Sequence, residues 1–195
     1  MYKVIGGKSN RTFRVLWLLE ELEVKYKFIS SPPHSDEVIK YNVSGKVPVL
    51  LDSDQPIYDS VAILTYLSDK HHKFTEPAGT LKRAQQDSLT QTVIDEFESV
   101  LWAAGKNSFI FPKNRRTPGL KENLKWEFEK NQSSFVKRFK KNTYLNGDKF
   151  SITDIVFTDC LRWSIAAKFE IIEPEIKNYF LNVQSRSAYR KVLKN

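Results

Sequence analysis

The polar pair Asp59-Ser60 stands directly before a helical pattern and is the first candidate for chemistry in the chain. The unpaired backbone N–H groups of a helix N-terminus attract anions, so this position could be an anion-binding site. Aspartate is also a common N-cap, a structural role that the pair could fill at the same time. The pair lies within the stretch 44–67, around which the rest of the chain is organised.

Pro48 lies almost at the start of the apolar run 47–51, which is otherwise typical of a β-strand. Proline fits a strand only at a sheet edge or where the backbone takes an unusual form. Two interpretations follow. Pro48 is either an edge-strand proline with a trans bond, or it follows a cis peptide bond from Val47.

Composition argues against several classes of function. The net charge is +8, but the basic residues are spread over 113–116, 137–141 and 190–194 without a nucleic-acid-binding motif, which favours solvated faces. The single Cys160 excludes CxxC chemistry, and the three histidines have no metal-site spacing. No apolar run matches a membrane span or a signal peptide. We therefore expect a cytoplasmic protein with no membrane partner, no nucleic-acid partner and no metal.

The first part of the 195-residue chain mixes strand and helix patterns. The order is β-α-β, then α, then β-β-α, which is the layout of a thioredoxin-like domain. The segment 73–80, which contains a proline and a glycine, is predicted to be a linker. Strands are predicted at 2–5, 25–29, 47–51 and near 57, and helices around 15–22, at 35–40 and at 60–70.

Beyond residue 80 the pattern is helical only, with a connecting loop predicted at 107–118. Ser151 and Asp154 form a predicted capping box. The helix that follows carries Cys160 as an inert buried thiol and Trp163 at least partly in the core. Helices are predicted at 81–105, around 124–139, from 152, from 174 and at 187–193.

Four pieces of the chain, in this order, resemble the glutathione S-transferase family. They are RTFRVLWLLEELEVKY at 11–26, SGKVPVLLDSDQPIYDSVAILTYL at 44–67, the helical half, and FSITDIVFTDCLRW at 150–163. The resemblance covers essentially the whole chain. It implies a thioredoxin-like, glutathione-binding domain at 1–73, an all-α C-terminal domain at 80–195, glutathione as co-substrate and a homodimer.

The resemblance puts the group that activates the glutathione thiol in the turn after the first strand. In serine-type members this position falls on Ser9, our first choice. In a bacterial and fungal group with SRxxR motifs it falls on Asn10, which could donate through its amide or its backbone N–H. Either residue could instead be only a helix N-cap. Gly6-Gly7 stand where tyrosine-type classes need a tyrosine, and the turn has no cysteine. Arg11 and Arg14 could support the turn electrostatically or form surface ion pairs.

The glutathione-binding residues are also carried over from the family. With a cis bond before Pro48, the Val47 backbone could pair with the extended tripeptide like an added strand. Ser60 and its N–H would take the γ-glutamyl carboxylate, and Asp59 would meet the ammonium. Candidates for the glycine carboxylate are Lys46 and His34, and candidates for the second-substrate pocket are Trp102, Phe109 and Phe111.

The leading prediction is an enzyme that conjugates the thiol of glutathione to small, largely hydrophobic electrophiles. A second possibility keeps the glutathione site but changes the reaction to peroxide reduction or isomerisation. A third is a non-catalytic glutathione-binding scaffold of the same fold, since fold does not fix activity. The second-substrate pocket has no fixed motif, so the sequence does not name the electrophile.

Overall fold

The computed structural model describes residues 1–139 and 142–194. The chain forms two compact units. One comprises Met1–Ala78 together with the segment that begins at Gln184, and the other comprises Gly79–Val183. The basic pair Lys140-Lys141, which belongs to one of the predicted solvated faces, lies outside the described residues.

The first unit is built on a four-stranded sheet with the strand order β2-β1-β3-β4. β1 and β2 are parallel, whereas β3 runs antiparallel to both β1 and β4. This is the predicted thioredoxin-like layout. The predicted strand at 47–51 begins too early, because β3 starts only after Pro48. The strands are β1 (Tyr2–Gly6), β2 (Tyr26–Ser30), β3 (Val49–Asp52) and β4 (Gln55–Tyr58).

Helix α1 (Thr12–Glu21) is the most deeply buried helix of the first unit. Its apolar side chains lie in the core, including Phe13 and Trp17, which are fully buried. It follows β1 and leads into β2, so the three elements form the expected βαβ unit. The other helices of this part are α2 (Asp36–Ile39) and α3 (Ser60–His71).

The C-terminal helix α9 (Ser187–Lys194) packs on α1, which corrects the predicted helical domain at 80–195. The Tyr189 ring lies 4.9 Å from Trp17 and 5.4 Å from Phe13 between centroids. Arg186 donates two hydrogen bonds to the carboxylate of Glu21, at 2.6 and 2.7 Å. These aromatic and ionic contacts explain why the end of the chain belongs to the first unit.

The described elements of the second unit are all helical. Its first helical stretch continues to residue 110, beyond the predicted end at 105, and is less regular than predicted. The stretch predicted as one helix at 81–105 contains a π-helical turn at Ile94–Glu98. A second π-helical turn, Lys106–Ile110, occupies the start of the predicted loop at 107–118. The α-helices are α4 (Leu81–Val93), α5 (Ser99–Gly105), α6 (Leu120–Phe139), α7 (Ile152–Ala166) and α8 (Pro174–Gln184).

An aromatic cluster centred on Phe97 forms the core of the second unit. Its ring lies 5.1–5.5 Å from those of Phe128, Phe135 and Phe157, with interplanar angles of edge-to-face packing. The predicted capping box at the start of α7 is present. Within the described residues, no helix is long and apolar enough to cross a membrane.

Candidate functional site

Every predicted glutathione-binding segment of the first unit lies at one edge of the sheet. This edge is formed by the ends of β1, β2 and β4 and by the start of β3. The strand register aligns Ile5 with Val49, and Val49 with Tyr58, so the turn after β1, the Val47-Pro48 segment and Asp59-Ser60 all emerge at the same edge. Ser30 pairs with Gly6 there, which brings the loop that contains His34 to this edge as well. Ligands of open α/β sheets bind at such strand ends.

The turn between β1 and α1 contains the two candidate thiol-activating residues. Asn10 accepts hydrogen bonds through Oδ1 from the backbone N–H of Thr12 at 3.0 Å and from the Thr12 hydroxyl at 2.7 Å. It thus satisfies one of the open donors at the start of α1, which is the role of a capping residue. The amide of Asn10 is still a possible donor. Ser9 lies in the same turn with an exposed side chain.

The peptide bond between Val47 and Pro48 is cis, so the interpretation as an ordinary trans edge-strand proline is wrong. The side chain of Val47 packs against a buried cluster that includes Ile5 and Val49. Within the described residues, the N–H and C=O of Val47 take part in no backbone hydrogen bond outside the regular elements. Val47 therefore offers a fixed, unpaired peptide edge to an extended ligand.

Lys46 and His34 are held at this edge by a network that the sequence analysis missed. The buried Asn42 donates its amide to the carbonyl of Lys46 at 2.9 Å, and the backbone of His34 donates to Gly45 at 2.7 Å. Gly45 has φ +68°, and a Cβ there would lie 2.2 Å from Nδ1 of His34. The signal was an asparagine three residues before a glycine, a common turn pattern.

Asp59 and Ser60 open α3 with an unusual backbone geometry. Asp59 has φ 73°, and its Oδ1 accepts from the N–H groups of Val61 at 2.9 Å and Ala62 at 3.1 Å. Its N-cap role is therefore present. A positive φ at a non-glycine residue costs of order 1–3 kcal/mol and is concentrated at functional sites. Asp59 is exposed and Ser60 is buried, so the carboxylate of Asp59 faces solvent and the hydroxyl of Ser60 is shielded from it.

Arg14 lies beneath this helix start, so the interpretation as a surface ion pair is wrong. Its side chain is 0% exposed, and its Nη1 donates to Oγ of Ser60 at 3.3 Å. The sequence placed Arg14 in a polar-looking RTFR segment and gave no sign that its guanidinium would be buried.

The predicted second-substrate residues lie in the second unit around the end of α5. The rings of Trp102 and Trp163 are 6.4 Å apart, and a Cβ on Gly105 would lie 3.4 Å from the Phe109 ring and 3.7 Å from Trp163. Phe109 and Phe111 are exposed, at 67% and 39%. Trp163 is partly buried, as expected. Phe109 lies within the second π-helical turn, and Phe111 directly follows it.

Among residues 1–139 and 142–194, no cluster of three or more histidine, cysteine, aspartate or glutamate side chains has metal-binding geometry. Cys160 is buried, with Sγ 3.8 Å from Oε2 of Glu98.

Two family models match the chain on either side of the unit boundary. Residues 9–70 match the model described as glutathione S-transferase, N-terminal domain, and residues 107–187 match the one described as glutathione S-transferase, C-terminal domain. The chain belongs to the glutathione S-transferase family. The first match contains the turn with Ser9 and Asn10, the cis bond and Asp59-Ser60, and the second contains the exposed aromatic residues of the helical unit.

Other members of the glutathione S-transferase family and related chains are similar along most of the sequence. Glutathione S-transferase F13 of Arabidopsis thaliana is 25% identical over 168 residues, which are 79% of this chain and 74% of that protein. Elongation factor 1-gamma 2 of Oryza sativa subsp. japonica is 23% identical over 200 residues, 96% of this chain and 47% of that protein.

Solved structures of the family have the same fold. The glutathione transferase URE2P6 from Phanerochaete chrysosporium, solved in complex with oxidized glutathione, has a TM-score of 0.85. The likeness covers 99% of this chain and 94% of that chain at 21% identity. At this identity the comparison establishes the fold.

Proposed function

We propose that the protein binds glutathione at the sheet edge of its first unit and conjugates it, through its sulfur, to a small apolar electrophile. The observation that carries this proposal is the strand register, which brings the turn after β1, Val47 and Asp59-Ser60 to one edge. Membership of the glutathione S-transferase family supports the same activity.

Each part of the tripeptide has a matching group at this edge. The unpaired peptide of Val47 would pair with the extended backbone of glutathione as a short added strand. Ser60 and the start of α3 would bind the γ-glutamyl carboxylate, and Asp59 would bind the ammonium through the carboxylate oxygen that does not cap the helix. Lys46 and His34 would meet the glycine carboxylate.

The reaction requires a thiolate, since this is the nucleophilic form of a thiol. Lowering a thiol pKa from about 8.5 to about 6.5 takes roughly 2.7 kcal/mol of preferential stabilisation of the anion. One or two charge-assisted hydrogen bonds near a helix start supply an amount of this order. Ser9 would be the donor through its exposed hydroxyl, whereas Asn10 is held in a capping role by the hydrogen bonds to its Oδ1 and would have only its Nδ2 amide group for donation.

The helical unit would supply the pocket for the electrophile. Trp102 and Phe109 with Phe111 present an aromatic surface that suits a flat, apolar substrate. The sulfur of bound glutathione would form a bond to the electrophilic carbon as the leaving group departs. We further propose that the protein acts as a homodimer in the cytoplasm, as family members usually do.

A glutathione-binding protein without transferase activity is the second candidate. The observation that favours it is the similarity to a protein named as an elongation factor rather than as a transferase. Glutathione-dependent peroxide reduction or isomerisation would use the same thiolate and differs only in the second substrate.

Two measurements test the proposal together. The protein should be retained on immobilised glutathione and released by free glutathione, and it should then conjugate 1-chloro-2,4-dinitrobenzene faster than the buffer reaction. Retention without turnover of this aryl halide or of cumene hydroperoxide would favour the binding protein. Failure to bind glutathione would reject every glutathione-based function.

A further inference from the structure

The buried guanidinium of Arg14 reaches from α1 to the first residue of α3. Its side chain is 0% exposed, Ser60 is 2% exposed, and the Nη1–Oγ distance between them is 3.3 Å. A charged group is costly to bury unless polar partners surround it, so a cation at this depth needs a reason. Its neighbours on α1 include the buried apolar side chains of Val15, Leu16 and Leu18.

The direction of this hydrogen bond fixes what Ser60 can do. Arginine has donors only, so Oγ of Ser60 accepts from Arg14 and uses a lone pair for it. The hydroxyl proton of Ser60 is then left to point away from Arg14, toward another acceptor. A serine without this neighbour could turn its proton inward and accept a hydrogen bond from the ligand side instead.

The backbone at the start of α3 leaves a second donor beside this proton. Oδ1 of Asp59 takes the N–H groups of Val61 and Ala62, and the carbonyl of Asp59 takes the N–H of Ile63. In the described part of the chain, no hydrogen bond to the N–H of Ser60 is present. Ser60 thus has two donors available, its hydroxyl and its backbone N–H, at the N-terminus of a twelve-residue helix.

We infer that Arg14 is a positioning residue that makes Ser60 a double donor for the α-carboxylate of the γ-glutamyl group. This inference rests on the proposed glutathione site. Arg14 acts through Ser60: it holds the hydroxyl in the donating orientation and adds a permanent positive charge behind the helix start. Arginine suits this role because its planar guanidinium is rigid and stays protonated at every accessible pH.

The experiment compares two peptides that differ only in this carboxylate. One is S-methylglutathione, and the other is its analogue with 4-aminobutyrate in place of the γ-glutamate, which keeps the ammonium and loses the α-carboxylate. Binding of both peptides is measured by calorimetry. Arg14→Met should weaken the binding of S-methylglutathione at least tenfold and the binding of the analogue less than threefold. Arg14→Lys should give an intermediate loss for S-methylglutathione.

A double variant separates positioning from general damage. Because Arg14 acts through Ser60, adding Arg14→Met to Ser60→Ala should weaken S-methylglutathione by less than threefold beyond Ser60→Ala alone. Arg186→Met is the control, since it removes a different cation of the same unit, which is partly buried and pairs with Glu21. This control should weaken both peptides equally or not at all.

Three outcomes decide the matter. Equal losses of both peptides in Arg14→Met, or in Arg14→Lys if the methionine variant does not fold, would overturn the inference and leave the glutathione site intact. Fully additive losses in the double variant would also overturn it. A wild-type protein that binds neither peptide would reject the proposed function itself, and the inference with it.

Discussion

Tyr179 donates its hydroxyl to Oδ1 of Asp154 at 2.9 Å, so the acid of the capping box in α7 is also tied to α8. The same oxygen accepts the N–H of Leu145 at 2.9 Å, and Oδ2 accepts the N–H of Ser151 at 2.8 Å. Burial raises the pKa of Asp154, whereas these donors oppose the rise. One buried carboxyl therefore joins three separate segments of the helical unit.

Replacing Asp154 should destabilise the protein strongly. Asp154→Ala leaves the buried donors of Leu145, Ser151 and Tyr179 without their acceptor, and an unsatisfied buried group costs about 1–3 kcal/mol. We expect the free energy of unfolding, measured with denaturant, to fall by about 3 kcal/mol or more. Asp148→Ala, an exposed aspartate of the preceding loop, is the control and should change it by less than about 0.5 kcal/mol. Equal effects of the two variants would contradict the central role of Asp154.

The acid stability of the first unit should depend on Asp52. Hydrogen bonds from Lys70 and Tyr66 lower the pKa of Asp52. The stability that Asp52 contributes is therefore present above its pKa of about 3.9 in the unfolded chain, and it is lost as the pH falls through the lower pKa of the folded protein. Asp52→Asn should therefore be less stable than wild type at pH 7, and the difference should shrink below about pH 4. Lys70→Met should behave similarly. A difference that stays constant from pH 7 to pH 2 would reject this coupling.

Ser9 and Asn10 should separate into a chemical and a structural role. Ser9→Ala should raise the pKa of the thiol of bound glutathione by about 1–2 units, since a hydrogen bond to a charged group is worth about 1.5–3 kcal/mol. Asn10→Ala should instead lower the free energy of unfolding by about 1 kcal/mol, as expected for loss of a helix cap. Thiolate absorbance near 240 nm and denaturant unfolding follow the two effects. The reverse pattern would make Asn10 the residue that donates the hydrogen bond to the glutathione thiolate.

Gly45 should tolerate no side chain. An alanine there takes an unfavourable φ of +68°, which costs roughly 1–2 kcal/mol, and its Cβ also collides with the His34 ring. Gly79→Ala is a matched control, with φ +78° and no atom within 4 Å of the added Cβ. Gly45→Ala should be the more destabilising of the two in denaturant unfolding. His34→Ala added to Gly45→Ala should bring the loss down to that of Gly79→Ala, and a failure to do so would remove His34 from the explanation.

Phe109 should affect the electrophile and leave glutathione binding unchanged. Its side chain is 67% exposed, so Phe109→Ala should alter the free energy of unfolding by less than about 0.5 kcal/mol. Loss of a phenyl contact of about 1.5 kcal/mol should raise KM for an aryl halide roughly tenfold. Trp126→Ala, at 63% exposure on α6, is the control and should leave both KM values unchanged. An unchanged KM for the electrophile in Phe109→Ala would exclude Phe109 from the pocket.

The order of elements was predictable from the sequence because it follows from hydrophobic period. The spacing of Val15, Leu18, Leu19 and Leu22 fixes one face of α1, and the capping box at Ser151 and Asp154 fixes the start of α7. The cis bond before Pro48 was one of two open interpretations, and the tertiary structure decided between them.

Features that depend on long-range packing were not predictable. The buried guanidinium of Arg14 donates to Ser60, which is 46 residues away in the sequence. The attachment of α9 depends on a contact between Tyr189 and Trp17, which no local pattern records. The two π-helical turns between α4 and the loop at 111–118 also escaped prediction, because each covers only five residues and is too short to change the apolar pattern of the surrounding helix.

The docking of α9 on α1 makes the first unit discontinuous in sequence. Its four strands and first three helices end by residue 78, yet the ring that packs on Phe13 and Trp17 belongs to Tyr189, more than one hundred residues later. At roughly 5–20 residues per second, a ribosome needs several seconds to deliver that ring. During synthesis the first unit therefore stays incomplete until the whole helical unit has been made, and a fragment cut at residue 78 would leave that aromatic surface permanently uncovered.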